Sequence, residues 1–265
     1  MHVSLRRALT KQRSLLLQAA SVAVSALLWY GLTWGEAERR ILSPLIIPSP
    51  GEFLGQFKSR WFDAALSRST GWSLYRILLG FGLAAAVGVP LGIIAGCSRT
   101  LEAVFNPLTV FLRNVPIAAL IPLTLVWFGL GEIQKVLFIT IASVAFVVFD
   151  TTRAVLDVDE RFVETAYTLG ASKRHVIFKV LIPLALPDIV NSLRLLFGLA
   201  FGYIVLAELI DAKYGLGYII QVAQRRGPRE HIYWVLVIIS LLAYGIDRLI
   251  FYGQKKYFPC RFGQE

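Results

Sequence analysis

Apolar stretches long enough to cross a bilayer recur along this chain, and no soluble core of this size could bury them all. Residues 14–35 carry no charge, and comparable runs occupy about 72–96, 133–153, 189–209 and 233–251, with a proline-interrupted run between about 101 and 129. A helix needs about 20 such residues to cross a hydrocarbon layer about 30 Å thick. Charged residues make up 17% of the chain and hydrophobic ones 56%, whereas soluble domains carry roughly a quarter charged residues. Mean hydropathy is +0.64. A backbone in lipid must satisfy its own hydrogen bonds. The expected fold is therefore an all-α polytopic membrane protein with about six transmembrane helices.

The formal net charge of +10 has a simple origin in such a chain. Lys and Arg collect beside the cytoplasmic ends of spans, and no long basic run or zinc-finger spacing points to nucleic acid. Cys97 and Cys260 are far apart, and His2, His175 and His231 are scattered; no metal site, disulfide or catalytic constellation is expected. Arg6, Arg7, Lys11 and Arg13 precede the first apolar run, which is too long for a signal-peptide core and is read as a retained span at 15–34. Six spans put both termini on one side, and the basic N-terminal tail leans toward a cytoplasmic placement.

Two features mark the middle of the chain. Ala84, Gly88, Gly92 and Gly96 recur every fourth residue, as do Gly198 and Gly202, a spacing that lets helix backbones approach closely. Gly80-Phe81-Gly82 sits inside an apolar run with no strand before it, so helix packing is expected there rather than a phosphate loop. The third span is broken at Arg113-Asn114-Val115-Pro116 and again at Pro122, since proline lacks a backbone donor. Irregular backbone at membrane depth is tolerated where it lines a cavity, which makes Arg113, Asn114, Pro116 and Pro122 pathway candidates. Arg113 is the residue expected to favour an anion, or else to pair with a carboxylate. Arg76, Arg194 and Asp247 are expected as anchors or ion pairs. Before the second span, Ile47-Pro48-Ser49-Pro50-Gly51-Glu52 suggests a short surface helix capped by Ser49 or Ser69.

Between the fourth and fifth runs lies a long polar segment, about 158–185, where short connections are the norm. Asp159 and Glu160 suit a helix start, Gly170 suits a helix C-terminus, and Ser172 suits the N-cap of a second helix carrying Lys173 and Arg174 in its first turn. Pro183 and Pro187 are expected to end that helix before the fifth span. The result would be two short helices joined by a tight turn, with Glu164 and the basic turn open to a partner.

The pattern Glu164-Thr165-Ala166, three residues, Gly170, nine residues, Val180-Leu181-Ile182-Pro183 resembles the coupling-helix signature of inner-membrane permeases of ATP-binding-cassette importers. Thr165, Val180 and Ile182 depart from its usual Ala, Ile and Leu. Pro48-Ser49-Pro50, Gly88-Val89-Pro90-Leu91-Gly92, Trp127-Phe128-Gly129-Leu130-Gly131-Glu132 and Gly215-Leu216-Gly217-Tyr218 resemble the branch serving sulfonates, taurine, nitrate and bicarbonate. That resemblance implies a type I importer fold and ATPase-coupling roles for Glu164, Thr165, Ala166, Gly170, Ser172, Lys173, Arg174 and Pro183. It also implies cytoplasmic ATPase subunits, an extracytoplasmic binding protein, and a second permease subunit, expected as a homodimer in the bacterial inner membrane. Tail, first span and extracytoplasmic connector would occupy 1–70, the permease core 71–255 and a cytoplasmic tail 256–265. No GxxxxGK[ST] is present, so the chain is expected to bind no cofactor, with ATP on the partner. The alternatives are a permease for thiamine-precursor pyrimidines or aromatic acids, and an ion-coupled secondary transporter, which would require related halves.

Overall fold

The computed structural model describes residues 10–36, 40–43, 46–55, 66–210, 212–226 and 230–259. Arg6, Arg7, His2, Arg229, Cys260 and Arg261 lie outside the described residues, as does connector 56–65. Helices account for the ordered elements, and no strand occurs among the described residues. They are α1 (Lys11–Leu32), α2 (Pro50–Gly55), α3 (Leu66–Gly96), α4 (Arg99–Arg113), α5 (Ile117–Phe128), α6 (Glu132–Leu156) and α7 (Glu160–Thr168). A continuous rod, α8 (Lys173–Glu208), follows, then α9 (Leu216–Arg226) and α10 (Glu230–Tyr257). Five helices are long and apolar enough to span a membrane: α1, α3, α6, α8 and α10. The α4–α5 pair is bent by 95° and brings the total to six when counted as one broken span; the expected break is present.

The core is built on a parallel pair, α3 and α6. A Cβ placed at Gly88 would lie 2.7 Å from Val147 Cγ1, one at Gly92 2.5 Å from Thr151 Cβ, and one at Gly96 2.7 Å from Val155 Cβ. The constant offset along both helices keeps them in register. Ala84 is fully buried on the same stripe. Because the backbones touch, side chains bond across them: Thr140 Oγ1 donates to the Gly80 carbonyl at 3.0 Å and Thr152 Oγ1 to the Gly92 carbonyl at 3.2 Å. Van der Waals packing and such bonds are what holds helices together where lipid is as apolar as leucine.

Gly198 and Gly202 behave differently from what their spacing predicts. No atom lies within 4 Å of a Cβ placed at either. The stripe of α8 that enters the core is Leu196, Phe197, Ala200, Phe201 and Ile204, on another side of the helix. Within the subunit, these two glycines pack against nothing described.

On the outer side of this core, α1 exposes Leu16, Val22 and Leu27, as a lipid-facing helix should. Its C-terminal end is fastened by an aromatic clasp. Trp29 meets the edge of Phe53, and Phe53 stacks on Trp234 with centroids 4.1 Å apart. Ser49 caps α2 reciprocally: Glu52 N–H donates to Ser49 Oγ at 3.3 Å and Ser49 N–H to Glu52 Oε2 at 2.9 Å, a capping box. Arg40, hydrogen-bonded to Glu52, and the Ser49 N–H pull that carboxyl from an ordinary 4.5 to about 2. A depressed carboxyl stabilises the fold above its unfolded value and loses that contribution as pH falls through the folded one. Glu52→Gln should therefore cost less than about 1 kcal/mol at neutral pH, since the pair is partly solvated. The difference from the parent should vanish as pH drops from about 4.5 toward 2, followed by thermal unfolding in nanodiscs.

Candidate coupling, conduction and anchoring sites

The polar segment folds as a sharp bend at one end of the bundle. Asp159 caps α7, its Oδ1 accepting from Arg161 N–H at 3.0 Å. The Arg161 side chain closes on the same carboxylate and holds Asp159 below the usual carboxylate range. The helix ends in a Schellman motif: Ala171 N–H donates to the Ala166 carbonyl and Gly170 N–H to the Tyr167 carbonyl, both at 2.9 Å. Gly170 has φ +79°, a conformation that a side chain at Cβ disfavours. Ala166 thus supplies both a small side chain and the carbonyl that fixes the turn. Ser172 then caps the next helix, accepting from His175 N–H at 3.4 Å.

The second helix does not stop at Pro183 or Pro187. It runs unbroken into the membrane as α8, passing through a π turn at Ile177–Leu181 before its α segment Ile182–Glu208. The wider turn shifts the hydrogen-bond register just ahead of Pro183, which then occupies the first turn of an α segment where its missing donor is tolerated. One rod of 36 residues, about 54 Å long, therefore links the basic turn Lys173-Arg174 to the far end of the bundle. Glu164 and Thr165 are both exposed on α7. Glu164 and Tyr167 line a cavity of about 410 Å³ together with Cys97, Arg99 and Leu181.

At the break in the third span, Arg113 closes α4, Asn114 caps it by donating Nδ2–H to the Val110 carbonyl at 2.8 Å, and Pro116 precedes α5. Pro122 lies inside α5 with an exposed side chain. The Arg113 guanidinium rests on the Phe149 ring, 3.9 Å from its centroid, and lies 5.2 Å from that of Phe146.

The opposite end of the bundle holds a buried charge network. Arg76, 1% exposed, grips Glu132 through Nε and Nη2 at 2.5 and 2.7 Å, while Nη1 reaches Glu208 at 2.6 Å and the Tyr214 carbonyl at 2.8 Å. Glu208 is fully buried and also accepts from Ser73 Oγ at 2.8 Å and Gly217 N–H at 2.9 Å. Ser73 accepts from Leu216 N–H at 2.9 Å. A side chain at Gly215 would collide with the Glu208 carboxylate, and one at Gly217 with the Val205 carbonyl. The Gly215-Leu216-Gly217 motif is thus needed for α9 to present its first N–H groups to that network. Arg76 is the ion-pairing residue expected from the sequence. Nothing in the sequence marks Ser73 or Lys135, although Ser73 and Arg76 share a helix face at i,i+3, and Glu132 stands out there only as the end of the Trp127–Glu132 motif. Arg194 and Asp247 likewise pair, at 3.1 Å.

The molecule is thus an all-helical membrane bundle with a bent third span and a capped polar bend at one end. Residues 88–256 match the model of the binding-protein-dependent transport system inner membrane component, and the chain belongs to that family. The taurine transport system permease protein TauC of Escherichia coli is 32% identical over 240 residues, covering 89% of this chain and 86% of that protein. The nitrate import permease protein NrtB of Synechocystis sp. is 28% identical over 251 residues, covering 91% and 89%. An inward-facing structure of the MetNI methionine ABC transporter superposes with a TM-score of 0.62 at 23% identity, covering 76% of this chain and 96% of that one. At that identity the likeness is one of fold.

Proposed function

We propose that this chain forms the membrane pathway of an importer driven by separate ATPase subunits, and that the bend at Gly170 is where their motion enters it. The observation that carries the reading is mechanical. A Schellman-closed helix is joined through a capped turn to a rod of 36 residues that spans the bundle, so force on Glu164, Lys173 or Arg174 moves the core-packed α8. ATP stays on the partner, an extracytoplasmic binding protein delivers the solute, and the pathway alternates its opening as the ATPases close and part. The Gly170 bend and both termini face the cytoplasm of a bacterial cell, the orientation favoured by the basic turn. The uncovered Gly198 and Gly202 give a second copy a face on which to pack. The cargo is a small anion of the sulfonate, taurine, nitrate or bicarbonate class, in keeping with the names of the relatives.

Glu164→Lys reverses a charge on the exposed face of α7, and Gly170→Asp puts a Cβ on a left-handed residue. Both variants should reach the membrane, yet ATPase subunits supplied in detergent or nanodiscs should bind about tenfold or more weakly. Uptake into cells should fall with binding. Wild-type association in both variants would refute the coupling role.

A further inference from the structure

Arg113 is a half-buried charge whose Nε finds no acceptor. It sits at the bend, against Phe149 of α6, seven residues before the helix ends at Leu156, which is about 10 Å at 1.5 Å per residue. At that depth a guanidinium is normally paired. Its partners here are ring faces: Phe149 at 3.9 Å and Phe146 at 5.2 Å. No hydrogen bond or ion pair reaches it among the described residues, and its Nε is buried without an acceptor. Asp150 is near enough for its charge to be felt but does not bond it. One turn toward the Gly170 end, exposed Arg153 approaches the same Phe149 ring at 5.4 Å. The two arginines flank one aromatic platform along α6.

We propose that Arg113 is an anion-binding residue of the pathway, with Phe146 and Phe149 as its platform and Arg153 as the next contact toward the Gly170 end. The proposal rests on the importer reading for its direction but not for its chemistry. Cation–π contacts fix the guanidinium plane while leaving its in-plane N–H groups without acceptors, and a planar fork of donors suits a carboxylate, nitrate or sulfonate. The ligand is therefore a small oxyanion. Asp150 competes with it weakly and offers a negative neighbour that prevents irreversible capture.

The test uses the full chain in nanodiscs, with Cys97 and Cys260 replaced by serine and Asn114→Cys as a reporter beside Arg113. The thiol is reacted with an anionic methanethiosulfonate bearing a sulfonate and with a cationic one bearing a quaternary ammonium. With Arg113 present, the anionic-to-cationic rate ratio should exceed that of the Arg113→Gln variant by about tenfold. Arg113→Lys should keep most of the ratio, Arg153→Gln should lower it in part, and Asp150→Asn should raise it. Ethanesulfonate should slow the anionic reaction only when Arg113 is present, and equally in zwitterionic and anionic lipid. A ratio indifferent to Arg113→Gln, a thiol inert to both reagents, or an effect confined to anionic lipid would overturn the proposal. ATPase binding at the Gly170 bend is scored on the same samples. Its absence with the ratio intact removes the importer reading and leaves the anion site standing.

Discussion

Arg76→Leu is expected to unfold this bundle from the end that holds the buried charge network, with a loss of about 3–5 kcal/mol. The figure follows from what stays behind. Glu208 is fully buried, and without Arg76 its carboxylate keeps the Ser73 hydroxyl and the Gly217 N–H but no positive charge. The Tyr214 carbonyl loses its donor as well, so the loop into α9 loosens. Glu132 suffers less, because its side chain is 45% exposed and Lys135 lies 3.8 Å away. A fall in melting temperature on the order of 10 °C in nanodiscs is the expected reading. Replacing the carboxylate too should recover much of it. Arg76→Leu combined with Glu208→Gln leaves an amide whose oxygen still accepts from Ser73 and Gly217, and no unpaired charge. The double variant should be more stable than Arg76→Leu alone, a sign of coupling that a merely space-filling arginine would not produce. Equal stability of Arg76→Leu and the parent would show that the network contributes nothing to the fold.

How much of this was legible in the sequence depended on the range of each interaction. The caps at Asp159 and Ser172 and the bend at Gly170 are decided within four residues, so residue type and spacing sufficed. The broken third span was legible from Pro116, which lacks the donor a helix interior needs, although Pro90 and Pro107 sit inside helices all the same. Pro183 misled because a proline reads as a stop. A π turn five residues long leaves no mark in composition, yet it lets the rod continue. The Arg76 network joins residues 132 apart in the chain at Glu208, and nothing local names that partner. Arg113 was legible as a charge beside the break, where it ends α4. Its platform was not, because Phe146 and Phe149 look like ordinary apolar residues of a span. Gly198 and Gly202 carry the same spacing as Gly88 and Gly92, and only the partner helix tells them apart.

That distinction sets the second large effect. Gly92→Leu should separate α3 from α6, because the first atom added already collides. A Cβ there lies 2.5 Å from Thr151 Cβ and 2.8 Å from the Val148 carbonyl oxygen. The single methyl of Thr151 could rotate away, but its Cβ and a backbone carbonyl inside a helix cannot. The helices must part by several ångströms for the remaining atoms, and the bond from Thr152 to the Gly92 carbonyl goes with them. Overpacking of this kind costs about 1–3 kcal/mol or more, and here it falls on the pair that organises the whole core. The control is ten residues away. Gly82 belongs to the same helix and has open space where its Cβ would be, so Gly82→Leu should leave the melting temperature within a degree or two of the parent's, as surface substitutions usually do. Comparing the two variants in one lipid separates helix propensity, which leucine improves in both, from contact geometry, which differs. If Gly92→Leu is as stable as Gly82→Leu, the α3–α6 backbones do not approach as described, and the register between them must be redrawn.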